Sequence, residues 1–235
     1  VQRQGGTWSD IVKTDSWSNK VPVLAWILLV ELIYLASIPL AFFVFRPLPD
    51  RGMIVARVLG ILCVSYIAWL LASLHLLSFS RISMWVGLLV LTLLSSLVLL
   101  QSWRELLGFL RRSWRFLAVG EALFLGAFLI FVILRMANPD LWEPWLGGEK
   151  PMDFAYLNAI LRSSYMPPFD PWFSGGYLNY YYWGQFIIAN LIKATGILPS
   201  VAYNLAVPLL FALTVTSAFS IVYNVSEGLR KTWRA

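Results

Sequence analysis

Charge is scarce in this sequence. Asp, Glu, Lys and Arg make up 13% of its 235 residues, where a soluble domain carries about a quarter. Hydrophobic residues make up 59%, and that balance excludes an ordinary water-soluble globule. The single cysteine, Cys63, excludes a disulfide framework and a thiolate metal site. The single histidine, His75, sits near the end of an apolar run, where a packed, hydrogen-bonded imidazole is the usual outcome and a haem or chlorophyll ligand the rarer one. Internal repeats, low-complexity tracts and strings of intramembrane charge are missing too, which weighs against a transporter.

What charge there is follows a membrane pattern. The net charge of +6 and pI near 9.6 come from bases scattered at the ends of apolar runs. They read as topology signals beside anionic headgroups rather than as a nucleic-acid surface, so membrane lipid is an expected partner and nucleic acid is not. Runs long enough to span a hydrocarbon layer of about 30 Å, which takes about 20 helical residues, lie near Val21–Phe45, Met53–Leu77, Ile82–Gln101, Phe116–Ala137 and Pro199–Asn224. The first is too long for a signal-peptide core and reads as a retained anchor helix behind a polar lead that holds Arg3. A sixth, shorter run, Tyr180–Thr195, contains Gln185, Asn190 and Lys193 and is expected to pack against protein. The fold class is therefore all-α: a polytopic helical membrane protein with five or six spans and one extracytoplasmic loop carrying a short surface helix. Three segments follow: 1–137 with the polar lead and four spans, 138–180 as the loop, and 181–235 with the short fifth span, the sixth span and a basic tail.

Arginines set the expected orientation. Arg46, Arg51 and Arg57 flank the first connector and Arg104, Arg111, Arg112 and Arg115 fill the third, so those sides are cytoplasmic. The 138–180 loop then faces away from the cytoplasm, in keeping with its five acids against two bases. Lys13 and Lys20 in the lead and Arg230, Lys231 and Arg234 in the tail pull against that assignment. Within the spans, Glu31 and Glu121 cost about 3 kcal/mol or more each unless paired or protonated, and Arg57, Arg135 and His75 are the available partners. Asn224-Val225-Ser226 fits a glycosylation sequon, a pattern common by chance.

The loop is where hydropathy stops explaining the sequence. Pro151 suits a first helical turn, and Phe154, Leu157, Ile160 and Leu161 share a face, which predicts a surface helix over about Met152–Ser163. Pro167, Pro168 and Pro171 forbid its continuation, and Gly175-Gly176 supplies a turn. Asp153 and Asp170 can bind a divalent cation, deprotonate a hydroxyl acceptor or stabilise a positive charge developing on a sugar; helix capping by Asp153 and a turn role for Asp170 are the plain alternatives. Lys150 and Arg162 can meet a phosphate or form ordinary surface pairs. Tyr180, Tyr181, Tyr182 and Trp183 can stack on a sugar or polyprenyl chain, or simply anchor a helix end as an aromatic belt. Asn179 can orient a carboxylate.

The strings Glu149-Lys150-Pro151-Met152-Asp153-Phe154-Ala155 and Pro167-Pro168-Phe169-Asp170-Pro171-Trp172-Phe173-Ser174-Gly175-Gly176-Tyr177-Leu178-Asn179-Tyr180-Tyr181-Tyr182-Trp183-Gly184 resemble the signature of the highly hydrophobic "YYY" membrane proteins of Chloroflexi and archaea, the DUF2298 family. The resemblance extends upstream through Arg46-Pro47-Leu48-Pro49-Asp50-Arg51-Gly52 and the Glu121 span. Members are usually longer, which implies an amino-terminal portion here. That family distantly resembles the GT-C membrane glycosyltransferases, whose first external loop opens with an acid, runs through a surface helix and closes on an aromatic proline motif. The resemblance implies Asp153 as catalytic base or acceptor-orienting carboxylate, Asp170 as a second acid for metal or acceptor, and Lys150 or Arg162 as a lipid-phosphate contact. It implies a sugar donor on polyprenyl phosphate in the cytoplasmic membrane of a bacterium or archaeon. Met152-Asp153 stands where two adjacent acids are usual, and His-Pro-Pro is missing. The alternative expectation is a non-catalytic helical subunit that docks through this loop to other membrane subunits or to a carboxy-terminal portion.

Overall fold

The computed structural model describes residues 12–141, 148–173 and 175–232, with side chains beyond residue 228 excluded. Arg3, Ser174, Arg234 and the side chains of Arg230 and Lys231, on which expectations above were placed, lie outside the described residues. Among the described residues seven helices follow in order: α1 (Trp17–Lys20), α2 (Pro22–Val44), α3 (Ala56–Ser73), α4 (Arg81–Ala137), α5 (Lys150–Arg162), α6 (Trp183–Thr195) and α7 (Pro199–Thr232). Prolines open α2, α5 and α7, where the missing N–H is no loss. Four of the seven, α2, α3, α4 and α7, are long and apolar enough to cross a bilayer. Leu24, Leu28, Leu32 and Leu35 of α2 are each more than 40% exposed at helical spacing, a stripe that suits hydrocarbon and not water.

Helix α4 runs 57 residues, which as a straight rod would be about 85 Å long. It is not straight. At its start Arg81 Nε donates to the carbonyl of Lys193 (3.2 Å) and in its last turn Arg135 Nε donates to Asn204 Oδ1 (2.8 Å), and those acceptors flank the single α6–α7 corner. Leu99, Leu106 and Phe109 all gather on Phe42, with the Phe42 and Phe109 rings 5.5 Å apart. The chain therefore doubles back between Leu99 and Phe109, and its two arms are the apolar runs expected as separate spans. The basic stretch expected as a connector, Arg104 to Arg115, lies inside the helix at and beyond that bend.

Close approach of the helices depends on missing side chains. A Cβ on Gly60 would lie 2.8 Å from Ile33 of α2, and one on Gly87 would lie 2.8 Å from the Val64 carbonyl of α3. Helix α6, with 13 residues, spans only about 20 Å and is buried instead, touching α2, α3, α4, α5 and α7. Its Phe186, Ala189 and Ile192 are fully enclosed, and Asn190 Nδ2 reaches Ser65 Oγ on α3 at 3.5 Å.

One ion network ties the first arm of the bundle to the second. Arg57 on α3 is 3% exposed at its side chain and forks onto Glu31 of α2 through Nε (3.0 Å) and Nη2 (2.9 Å), while Nη2 also pairs with Glu121 of α4. The guanidinium lies over the rings of Tyr34 and Phe124 at 4.0 and 4.1 Å. Of the partners open to the two intramembrane glutamates, Arg57 takes both; Arg135 turns to Asn204, and His75 packs edge-on against Tyr165 at 4.5 Å. Removing one member of such a network strands the others and costs about 3–5 kcal/mol. Arg57→Met should therefore lower the Tm of the detergent-solubilised protein sharply, with Arg57→Lys intermediate because it keeps the charge and loses the fork; a Tm unchanged by Arg57→Met refutes the network's structural role.

Candidate functional site

Within the 138–180 segment, the described residues from 148 on fold over the end of the bundle where both arms of α4 terminate. Helix α5 buries Tyr156, Leu157, Ile160 and Leu161, and Asp153 stands four residues before Leu157, on the same face. Its carboxylate is thus carried against α6, where Asp153 Oδ1 accepts from Gln185 Nε2 at 2.9 Å. It does not cap the helix, whose N-cap is Glu149. Gln185 Oε1 is buried with no hydrogen-bond partner among the described residues. A buried amide oxygen without a partner, beside a half-buried carboxylate, is an acceptor the fold leaves unmet.

Burial pushes the Asp153 carboxyl above its ordinary value, the Gln185 amide pulls it back by favouring the ionised form, and the charge of Glu149 pushes it up again. Tyr156 stands in reach of both candidate acids: its hydroxyl is raised by burial first, then by the charges of Asp170, Tyr180, Asp153 and Glu149. The Tyr203 ring of α7 meets that of Phe154 edge-on at 5.9 Å.

Asp170 has a different occupation. Its Oδ1 accepts the backbone N–H groups of Trp172 (2.8 Å) and Phe173 (3.2 Å), closing the turn of a short hairpin in which Phe169 and Tyr177 pair and stack at 5.5 Å. Its own N–H donates to the Gly176 carbonyl at 3.1 Å, and Gly175 at the tip has φ 83°. The tip carries Trp172 and Phe173, 67% and 69% exposed.

The remaining sequence candidates divide. Lys150 and Arg162 are the first and last residues of α5, about 18 Å apart along its axis, so they do not meet one phosphate. Tyr182 is a structural anchor: its hydroxyl accepts from Trp69 Nε1 at 3.0 Å, beside the edge-on pair of Trp69 and Trp183. Tyr180 and Tyr181 are exposed, 4.1 Å apart, and Tyr181 donates to Glu149 Oε2 at 3.2 Å. Hydrogen bonding with Tyr180, together with burial and Glu149, holds the Tyr181 hydroxyl well above the usual phenol range. Asn179 is exposed beside them. Gln185 and Tyr156 were not singled out as site residues; the one signal for Gln185 is an amide in an apolar run, and its partner lies 32 residues away.

Two hollows adjoin this end. One of about 550 Å³ is lined by Val12, Thr14, Phe154, Asn158, Pro199 and Ser200; the other, about 1010 Å³, opens beside Arg81 and Lys193. Neither is lined by Asp153 or Asp170. Among the described residues no group of three His, Cys, Asp or Glu side chains is placed to hold a metal ion.

Residues 63–235 match the model of the family described as "Uncharacterized membrane protein (DUF2298)", and the chain belongs to that family. No curated protein and no solved structure matches it. The family description and the four long apolar helices together make this an integral membrane protein.

Two measurements check the site's electrostatics. The Asp153 carboxyl band in infrared titration should ionise above the ordinary carboxylate range; Gln185→Leu should raise it further by removing a donor to the ionised form, and Glu149→Gln should lower it by removing a like charge. Because the folded-state value is raised, the stability Asp153 contributes is present at low pH and lost as pH climbs through that value. Separately, Asp170→Ala should loosen the hairpin by about 1 kcal/mol, read as faster hydrogen exchange at the Trp172 and Phe173 amides with α5 and α6 unaffected.

Proposed function

We propose that this end of the bundle is the acceptor side of a sugar-transfer site on the extracytoplasmic face, fed by a polyprenyl-phosphate sugar. The observation that carries the reading is the Asp153–Gln185 pair: a half-buried carboxylate of raised proton affinity, held in place by the Gln185 amide. In the transfer, Asp153 takes the proton of the acceptor hydroxyl as its oxygen bonds to the anomeric carbon. The bond from that carbon to the lipid phosphate breaks, and the phosphate oxygen leaves with the electron pair. Gln185 positions Asp153, and Tyr180 and Tyr181 offer exposed faces to the sugar. Asp170 serves by holding the hairpin that borders the site, and no step passes through a metal.

A second reading is favoured by a separate observation. Trp172 and Phe173 at the hairpin tip are large, apolar and exposed, as expected of a docking surface for another membrane subunit or a further portion of the same protein. The two readings part on one variant. With a polyprenyl-phosphate sugar and membranes containing the full protein, Asp153→Asn should abolish product, lowering the rate at least about a hundredfold as loss of a general base does, while expression and Tm hold. Product formed at the wild-type rate by Asp153→Asn sinks the transferase reading. If Trp172→Ala with Phe173→Ala then releases the chain from larger assemblies on native gels, the docking reading takes its place.

A further inference from the structure

The hollow of about 1010 Å³ shares no residue with the Asp153 site, and its chemistry is of another kind. Lys193 from α6, Arg81 from the start of α4 and Lys13 from the segment before α1 line it, with no Asp or Glu beside them among the described residues of its wall. Lys193 is 9% exposed. Its ammonium stands 5.2 Å from the Phe79 ring and pairs with no carboxylate among the described residues. A buried cation without a counter-charge is unfavourable unless a bound anion supplies one.

Arg81 converges on the same point. Its Nε is committed to the Lys193 carbonyl, and its Nη2 passes so close to Gly196 that a Cβ there would lie 2.8 Å away. Gly196, at φ 70°, is therefore needed both for the turn and for the room it leaves the guanidinium. As the first residue of α4, Arg81 also marks the positive end of that helix's dipole. The opposite wall is hydrocarbon-like: Leu28, Leu32 and Trp85 line it, each more than 40% exposed, and the two leucines belong to the outward stripe of α2. A lining that combines basic residues with exposed apolar ones matches a ligand with an anionic head and a hydrocarbon tail.

We propose that this hollow binds the phosphate headgroup of an amphipathic lipid, with the phosphate on Lys193 and Arg81 and the first carbons of the chain along Leu28, Leu32 and Trp85. The binding stands on the hollow itself and does not require Asp153 to do chemistry. A phosphate suits the site better than a carboxylate because it brings up to two charges and several acceptor oxygens to converging cations. The apolar wall favours a lipid source over free phosphate.

Calorimetric titration of the full chain in neutral detergent tests this, using short-chain phosphatidic acid, diacylglycerol of the same chain length, and inorganic phosphate. Phosphatidic acid should bind, and diacylglycerol and inorganic phosphate should each bind at least about tenfold more weakly, since each lacks one half of the ligand. Arg81→Gln and Lys193→Gln should each weaken phosphatidic acid by about tenfold or more, the effect of losing one charge-assisted contact, and Lys193→Arg should restore most of the affinity. Arg81 is exposed, so an unchanged Tm certifies that its variant is folded even where Lys193→Gln is not. Equal affinity for inorganic phosphate would make this a free-anion site and overturn the lipid assignment. Equal affinity for diacylglycerol, or indifference to both charge variants, overturns the phosphate assignment. The readout is binding alone, so its outcome is separate from that of sugar transfer.

Discussion

The bundle depends on keeping one buried guanidinium satisfied. Arg57 is enclosed by two glutamates and two aromatic rings drawn from α2 and α4, and a charge in that position is tolerable only while all of them stay in register. The register of three helices is thereby set by a single side chain, and the close crossings at Gly60 and Gly87 follow from it. The far end is fixed in a similar way: Asp50, fully buried, accepts from Ser220 Oγ at 2.6 Å and from the Gly52 amide at 2.9 Å, while its own amide donates to Asn224. Asn224, the residue of the sequon, is thus engaged in holding α7 against the first connector. Arg46 and Arg51 meet Glu105 at the bend of α4 on the same side.

With both ends pinned, the polar residues at the other end are held on a rigid frame. Asp153 comes from α5, which buries one face through Tyr156, Leu157, Ile160 and Leu161, and Gln185 from α6, which buries most of its length. The hairpin closed by Asp170 is the more exposed partner; the Leu178 amide donates to the Pro168 carbonyl at 2.8 Å across its base, and the Phe169 amide donates to Ser163 Oγ at 3.3 Å. Rigid placement of the carboxylate and an exposed aromatic tip divide the loop into a part that can do chemistry and a part that can touch something else.

Hydropathy alone made the architecture legible, because apolar runs of spanning length have few other uses. The fold-back of α4 was legible as two runs but not as one helix, since Arg104 to Arg115 reads as a connector whether or not its backbone stays helical. The α5 face was legible from the spacing of Leu157, Ile160 and Leu161. The pairing of Glu31 and Glu121 with Arg57 was narrowed to three bases and could go no further, because partner choice depends on which helix faces are turned inward. Gln185 as the partner of Asp153, and the convergence of Arg81 with Lys193, were out of reach: those contacts join residues 32 and 112 apart, and nothing local marks them. Asp170 was open between two uses, and only the positions of the Trp172 and Phe173 amides show which one its Oδ1 has.

The stretch before α1 has an arrangement whose meaning lies in its alternation. Val12 and Thr14 face the smaller hollow, whereas Lys13, Ser16 and Trp17 face the larger, and Asn19 clasps the α6–α7 corner through the Gly196 carbonyl and the Leu198 amide, both at 2.9 Å. Alternate residues of one short stretch, running into α1, thus contribute to an apolar hollow beside Phe154 and to a cationic one beside Lys193, so a shift of that stretch would reshape both spaces at once.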